Sequence, residues 1–462
     1  MSKYRIRKRG QNSRLTSGIP GDGTRVLYLN SLACGKKSGG SCPQSAMIWR
    51  LCLGIATYWF TALTGACAVE PSSSGPEPFL RYRDTTLEYN GVESDFTNLT
   101  EIRIGWFGPH DPTNGVASAP WWAASLAVRE ANEQGGYQGL PFRLVPRWAV
   151  DPWGSGVSQL TRMVYDEQPL ALLGSMDSAT THLAEQVVAK ANLPLVSPIS
   201  TDKSVTLAGV SWMFSCAPTD DAIARVLVAN VLDLPQRGTS KLALLTGIDH
   251  ESRMIAREVM REFTRHGQPP DFRFEVAAGA HDITRQMAAL QESRPGMVMI
   301  LAGAEEAARL VLAVRQQLPS TMIFGGQSFG LIRFQQLAGT AAEGARFPLL
   351  FFPEPADAAA DRFIDRFTNE HQSPPDYTAA LTYDATRLLI EAIHRAGPNR
   401  ARIREALTRL SPWPGMAGRI RFDGTGQNID GRVCVGTIRK GAIILLTKPA
   451  TMEHALNQNA QP

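Results

Sequence analysis

Short apolar segments alternate with amphipathic segments over most of this chain, and this alternation limits the possible folds more than any other feature. The first pair is Ile102–Phe107, an apolar run typical of a strand, and 119–134, a helical pattern that ends at the glycine pair 135–136, a common C-cap. Further pairs are 142–147 with 157–166, 170–173 with 180–191, 242–246 with 253–266, 297–302 with 305–318 and 322–325 with 331–337. Apolar strands that alternate with helices predict an α/β fold of parallel sheets covered by helices on both faces.

The pattern divides near residues 216–221, where a strand-like run leads into a new helix with Thr219 as its cap. Two doubly wound parallel-sheet lobes joined by a hinge fit the usual size of a core better than one large sheet. Short β-like runs after residue 410 indicate that the chain crosses back between lobes. We predict an N-terminal lobe of residues 101–218 with about 326–352, and a C-terminal lobe of 219–325 with about 353–447.

The segments outside these lobes have their own character. Residues 1–46 form a basic tail, 47–67 resemble an export signal, 68–100 form a polar linker and 448–462 a polar tail. Small residues before Cys67 resemble a bacterial lipidation signal, but its usual Leu is displaced by one position, so lipidation of Cys67 and plain signal cleavage both stay open. Either reading predicts a periplasmic or other extracytoplasmic protein.

Charge and cysteine usage argue against several classes of protein. Residues 1–50 contain ten Lys or Arg and one acidic residue, so the rest of the chain is mildly acidic although the whole chain has a formal net charge of +4. This distribution gives no support for nucleic-acid binding. The chain has no CxxC, HExxH or phosphate-binding GxxxxGK[ST] motif, and we expect no metal and no cofactor. Cys216 and Cys434 are expected to be buried, with a disulfide between them left open.

Eight local patterns between residues 102 and 446 together resemble the branched-chain amino acid binding proteins, the type I periplasmic binding proteins that serve ABC transporters. The most specific is Leu193-Pro194-Leu195-Val196-Ser197-Pro198 followed by Ser200-Thr201. The others are 102–109, 126–136, Asp151-Pro152, 173–180, 214–221, 377–391 and 418–424. The resemblance implies a Venus-flytrap fold, capture of a small ligand between two closing lobes, an ABC permease as partner and no enzymatic activity.

The resemblance also implies a ligand site where strands end. Ser178-Ala179 and Ser200-Thr201 each follow a strand, and the orphan N–H groups of a helix start suit a ligand carboxylate. The same serines and threonine also suit ordinary helix caps. The residues predicted to bind the ligand are Ser178, Ala179, Ile199, Ser200, Thr201, Asp249, Glu251, Gln327, Ser328 and Trp153.

Two departures from the family pattern bear on the ligand. Gln327 falls where the family commonly has an acidic residue that holds the ligand ammonium, and Glu251 falls where the family has an aromatic residue. Either Asp249 or Glu251 takes over the ammonium, or the ligand is an amide or small organic acid instead of an amino acid. Trp121, Trp122 and Trp153 are candidates for an aromatic wall of the cleft, with core packing as the alternative.

Two other functions stay open at the level of sequence. Gly326-Gln327-Ser328-Phe329-Gly330 is a GxSxG pattern, and with Asp384 and His394 it suggests a serine hydrolase with Ser328 as nucleophile. Asp384 and His394 are ten residues apart on one predicted helix, about 15 Å along its axis, which argues against one triad. The second alternative is a ligand-sensing regulator of the same fold.

Overall fold

The computed structural model describes residues 94–110, 118–148, 152–277, 283–354 and 357–447. The chain divides into two units, Met1–Val69 and Glu70–Pro462, and every described residue belongs to the second. The predicted tail, the export signal with Cys67, most of the linker and the C-terminal tail therefore lie outside the described residues. Among the helices of the described part, none combines the length and apolarity that crossing a bilayer requires.

The described residues form two main sheets, which confirms the predicted fold class. The strands are β1 (Ile102–Phe107), β2 (Phe142–Arg147), β3 (Ala171–Gly174), β4 (Leu195–Ser197), β5 (Met213–Ser215), β6 (Leu242–Gly247), β7 (Phe272–Val276), β8 (Met297–Leu301), β9 (Met322–Gly325), β10 (Arg346–Leu349), β11 (Trp413–Pro414), β12 (Arg419–Ile420), β13 (Cys434–Arg439) and β14 (Ala442–Thr447). The first sheet has the order β2-β1-β3-β4-β5 and is parallel throughout. The second has the order β14-β13-β10-β9-β8-β6-β7, and β13 runs antiparallel to β10 and β14.

Helices cover both sheets. They are α1 (Ala119–Glu133), α2 (Val157–Arg162), α3 (Ser178–Ala191), α4 (Ser204–Leu207), α5 (Asp220–Leu232), α6 (His250–Arg265), α7 (Thr284–Ser293), α8 (Ala304–Gln317), α9 (Ile332–Ala338), α10 (Ala358–His371), α11 (Tyr377–Ala396) and α12 (Arg400–Leu410). Side-chain caps fix several of their first turns. Asp177 accepts from the Thr180 N–H at the start of α3, and Asp249 accepts from the Ser252 N–H at the start of α6.

The predicted division between lobes is wrong for residues 326–352 and for most of 353–447. β10 pairs with β9 and β13, so it belongs to the second sheet and the C-terminal lobe. α10 and α11 pack on the first sheet's side of the molecule, where Phe363, Phe367 and Leu381 contact α1 and where Leu388 and Leu389 join the core of β1 and β3. An amphipathic helix shows which of its faces is buried but not which sheet buries it, so the sequence pattern left this choice open.

The chain passes between the lobes three times: at 216–219, between the end of β10 and the start of α10, and at 421–433. The first and third are joined by hydrogen bonds, because the Ser215 N–H donates to Gly426 O at 2.9 Å and the Asn428 side chain donates to Cys216 O at 2.8 Å. Cys216 lies in the core of the first lobe and Cys434 in that of the second, and both are free thiols. The first and third crossings therefore lie side by side.

The packing of α11 on the first sheet gives a stability prediction. Leu389→Ala is expected to lower the free energy of unfolding by about 2–5 kcal/mol, because it removes a fully buried side chain and leaves a cavity. Arg395→Ala, on the exposed face of the same helix, is the control and should change it by about 0.5 kcal/mol or less. Urea denaturation measures both. Equal effects of the two substitutions would contradict the placement of α11.

Candidate functional site

A cavity of about 250 Å³ lies between the two lobes. Its walls follow the carboxyl ends of β3, β4, β6, β8 and β9, which is where doubly wound sheets bind ligands. The first lobe contributes Met176, Asp177, Ile199, Thr201, Tyr377 and Thr378; the second contributes Asp249, Glu251, Ser252, Ile255, Leu301, Ala302, Gly303, Ala304, Gly326, Gln327, Ser328 and Leu331. The structure thus brings six of the ten predicted site residues to one cavity.

A larger groove of about 1050 Å³ lies at the other end of the second sheet. It is lined by residues that precede β8 and β9, among them Pro295 and Thr321, and by the ends of α7 and α8. All of its lining residues belong to one lobe, and the amino ends of parallel strands present no helix N-termini to a ligand. The cavity between the lobes is therefore the candidate site.

Glu251 connects the two lobes across this cavity. Its carboxylate accepts hydrogen bonds from the Ser178 N–H at 2.9 Å, the Ser178 hydroxyl at 3.0 Å and the Ala179 N–H at 3.3 Å. Burial, followed by the charge of Asp177, raises the pKa of Glu251, although the Ser178 hydrogen bonds act in the opposite direction. The helix start that was predicted to hold a ligand carboxylate therefore holds a carboxylate of the protein.

A second contact between the lobes lies beside the first. The His250 ring is 3.2 Å from Asp202 Oδ2, and Asp202 also accepts from the Ser204 N–H at 2.9 Å. His182 contacts Glu185 and the Ser204 hydroxyl, each at 3.0 Å, and the hydrogen bond to Glu185 raises its pKa. Among the described residues, no group of three or more His, Cys, Asp or Glu is arranged to hold a metal ion.

Ser200 and Thr201 have different surroundings although they are adjacent. Ser200 is buried, and its hydroxyl lies 2.7 Å from that of Ser197 and 2.8 Å from that of Thr181. Thr201 lines the cavity, and its carbonyl accepts from the Asp220 N–H at 2.8 Å. Ser200 therefore holds the loop after β4 in place, and Thr201 faces the cavity.

Gln327 and Ser328 lie in the turn after β9. Gln327 lines the cavity, and its Oε1 atom is buried with no hydrogen-bond partner among the described residues. The Ser328 hydroxyl donates to Ala302 O at 2.7 Å and so joins the turns after β8 and β9. Gln327 thus presents an unused acceptor to the cavity, whereas Ser328 is already engaged.

A family model described as periplasmic binding protein matches residues 101–442, about three quarters of the chain. The chain belongs to the periplasmic binding protein family. This confirms the resemblance found in the sequence motifs.

Two relatives align with this chain over most of their own length. The chain is 26% identical over 336 residues to an amino acid binding protein of Pseudomonas aeruginosa, which covers 71% of this chain and 88% of that protein. It is 23% identical over 306 residues to the Leu/Ile/Val-binding protein homolog 1 of Brucella abortus, with 66% of this chain and 81% of that protein covered.

Solved structures show the same fold. The branched-chain amino acid transporter substrate binding protein LivJ from Streptococcus pneumoniae, in complex with isoleucine, superposes with a TM-score of 0.68 at 23% identity over 76% of this chain and all of that one. An ABC transporter substrate-binding protein from Desulfitobacterium hafniense in complex with Leu gives a TM-score of 0.64 at 25% identity over 75% of this chain and all of that one.

The tryptophans do not form a wall of this periplasmic binding protein's cavity. Trp153 is 66% exposed and lies outside the cavity lining. Trp121 packs edge-to-face on the buried Trp106 at 5.4 Å between ring centroids, and Trp122 stacks on His371 at 4.0 Å. Trp121 and Trp122 thus take the core-packing role that was the alternative.

The groups of the hydrolase hypothesis are not brought together. Asp384 is buried and accepts from the Met416 and Ala417 N–H groups, whereas His394, at the other end of the same helix α11, packs against Phe142. Ser328 lies in the other lobe, bonded to Ala302 O. The GxSxG pattern is a turn of the binding-protein fold, and its serine has neither of the proposed triad partners beside it.

Several residues that line the cavity were not predicted from the sequence. Asp177 carried a signal, since an acidic residue before a helix start is a typical cap, but its position at the cavity depends on the order of the strands. Tyr377 begins α11 and reaches the cavity from a helix that the sequence pattern predicted to belong to the other lobe. Met176 and Leu301 are apolar residues that nothing in the pattern separates from core residues.

Asp220 does not line the cavity but contacts Thr201, which does, and its burial has a measurable consequence. Asp220 lies in the first turn of α5 and is 3% exposed. Burial raises the pKa of its carboxyl to about 8, although the hydrogen bond with the Thr201 hydroxyl acts in the opposite direction. A carboxyl whose pKa is higher in the folded state than in the unfolded state binds an extra proton on folding, so its contribution to stability is lost as pH rises.

We predict that the free energy of unfolding of the unaltered protein, minus that of Asp220→Asn, decreases as pH rises from 5 to 8. Above pH 8 the difference should stay constant. The asparagine has no proton to lose, so the difference in the free energy of unfolding should reach the order of a few kcal/mol. Urea denaturation at several pH values measures it. Asp233→Asn, at the exposed C-cap of the same helix, should follow the pH profile of the unaltered protein. Parallel profiles for Asp220→Asn and the unaltered protein would contradict the prediction.

Proposed function

We propose that this chain is the extracytoplasmic solute-binding protein of an ABC transporter and that it captures one small molecule in the cavity between its lobes. The observation that carries the proposal is the cavity itself, which both lobes line at the carboxyl ends of their strands. Support comes from family membership and from relatives that are named as binding proteins for amino acids.

The mechanism that suits this arrangement is closure of the lobes on the ligand. The first and third crossing segments are hydrogen-bonded to each other, so a rotation about them changes the distance between Thr201 on one lobe and Gln327 on the other. A ligand that contacts both lobes binds the closed form more tightly and shifts the equilibrium toward it. The closed form then docks on a membrane permease, and lipidation at Cys67 would keep it near the membrane.

The cavity also limits the size and chemistry of the solute. A volume of about 250 Å³ holds a molecule of amino-acid size, and its walls combine apolar side chains with a few polar groups. Isothermal titration calorimetry with a panel of amino acids, amides, amines and small organic acids tests the proposal. Binding of one molecule per chain, with a smaller radius of gyration in X-ray scattering, is the expected result.

Within that panel, Gln327→Ala should weaken binding of the best ligand about fivefold to tenfold, because it removes one hydrogen bond worth about 1 kcal/mol. Trp153→Ala is the control, since Trp153 lies outside the cavity lining and its loss should leave the affinity unchanged. Calorimetry of both variants gives the comparison. The proposed function is refuted if no member of the panel binds, and the location of the site is refuted if Trp153→Ala weakens binding as much as Gln327→Ala.

A further inference from the structure

The position for a ligand carboxylate is already filled by the protein. The start of α3 offers three donors to the gap between the lobes, the Ser178 N–H, the Ser178 hydroxyl and the Ala179 N–H, and all three donate to Glu251. Glu251 comes from the first turn of α6 on the other lobe. A ligand carboxylate at this helix start would have to displace Glu251 first.

Displacement of Glu251 would be unfavourable. Glu251 would lose the three donors that stabilise its carboxylate, and the incoming carboxylate would meet the same repulsion from Asp177. A charge that is partly buried and loses its hydrogen bonds is strongly destabilising. The ligand carboxylate would gain only the contacts that Glu251 gave up.

The described walls of the cavity carry more acidic than basic groups, although the His250 ring beside Glu251, which contacts Asp202, opposes the rise in the pKa of Glu251 that burial causes. Asp177, Asp249 and Glu251 line it, and no Lys or Arg is among its lining residues in the described part of the chain. The internal segments outside that part, 111–117, 149–151, 278–282 and 355–356, contain no Lys or Arg in their sequence. The starts of α3 and α6 offset this charge only partly, because a helix N-terminus carries about half a positive charge.

Further groups favour a cation that donates hydrogen bonds. Glu306, which is 8% exposed, lies behind the cavity lining with Asp249 around Gly247, where a Cβ would be 2.8 Å from a carboxylate oxygen of each, and its charge also interacts with that of Arg309. Gln327 Oε1 is a buried acceptor that lacks a donor among the described residues. Ile199, Ile255 and the ring of Tyr377 provide apolar surface in the same cavity.

We propose that the cavity takes a primary amine, an organic cation with an apolar body and no carboxylate, and that Glu251 stands where the carboxylate of an amino-acid ligand would bind. This assignment rests on the proposed function, since it names the solute class for the same cavity. The ammonium donates to the carboxylates of the cavity wall and to Gln327 Oε1. The apolar body of the amine lies against the isoleucines and Tyr377.

Three related compounds test the solute class by calorimetry. L-Leucine carries both an ammonium and a carboxylate. 3-Methylbutylamine has the same ammonium and side chain but lacks the carboxylate. 4-Methylpentanoate has the same carboxylate and side chain but lacks the ammonium. The amine should bind the unaltered protein about tenfold more tightly than L-leucine, because both carry the ammonium and only L-leucine brings a carboxylate beside the carboxylates of the cavity wall. 4-Methylpentanoate should bind most weakly.

Variants of Glu251 test its part in the preference. Glu251→Ala frees the donors of Ser178 and Ala179, so L-leucine should bind about tenfold more tightly than it binds the unaltered protein, and the amine more weakly. Glu251→Gln keeps an acceptor for these donors and removes the charge, so the amine should bind more weakly and the affinity for L-leucine should not increase. Glu305→Gln, an exposed carboxylate on α8, is the control and should leave the order unchanged.

The outcomes separate the two proposals. If L-leucine binds the unaltered protein more tightly than the amine, or if Glu251→Ala leaves the order of affinities unchanged in a variant that melts cooperatively, the amine assignment is overturned while the proposed function stands. If no member of the wider panel binds, both proposals fall. Tighter binding of the amine with the predicted reversal in Glu251→Ala supports both.

Discussion

Parallel pairing of strands in both lobes is the constraint on which the site depends. It places the ends of β3 and β4 on one side of the gap and the ends of β6, β8 and β9 on the other, each followed by a turn or a helix start. Helix starts carry unsatisfied N–H groups and partial positive charge, so the gap is bordered by donors before any ligand is considered. The polar side chains in these turns then decide which molecule the gap accepts.

In this chain the protein itself supplies much of the negative charge at those helix starts. Asp177 and Asp249 cap α3 and α6, and Glu251 spans the gap to the start of α3. Asp202 and His250 form a neighbouring contact between the lobes. In this arrangement the lobes contact each other through side chains of the protein, and any solute that fits between them must be compatible with this charge.

The family pattern and the individual residues carry different information. Residues 101–442 match a family of binding proteins, and that match shows the family to which the chain belongs. The ligand depends on single side chains, and here the departures at Glu251 and Gln327 matter most. Both residues line the cavity. The Glu251 carboxylate accepts hydrogen bonds from the other lobe, whereas the buried Oε1 of Gln327 accepts none from the described residues.

The sequence by itself determined the strands, the helices and the parallel two-lobed fold, because apolar periodicity and caps are local properties. It also placed Thr201, Asp249, Glu251 and Gln327 at strand ends, where they line the cavity. Only the tertiary structure decided that β10 joins the second sheet and that α11 packs on the first. It also decided that Ser200 and Trp153 lie outside the cavity lining and that Glu251 reaches Ser178. These features depend on which surfaces meet across long stretches of chain, and a local pattern does not specify its distant partner.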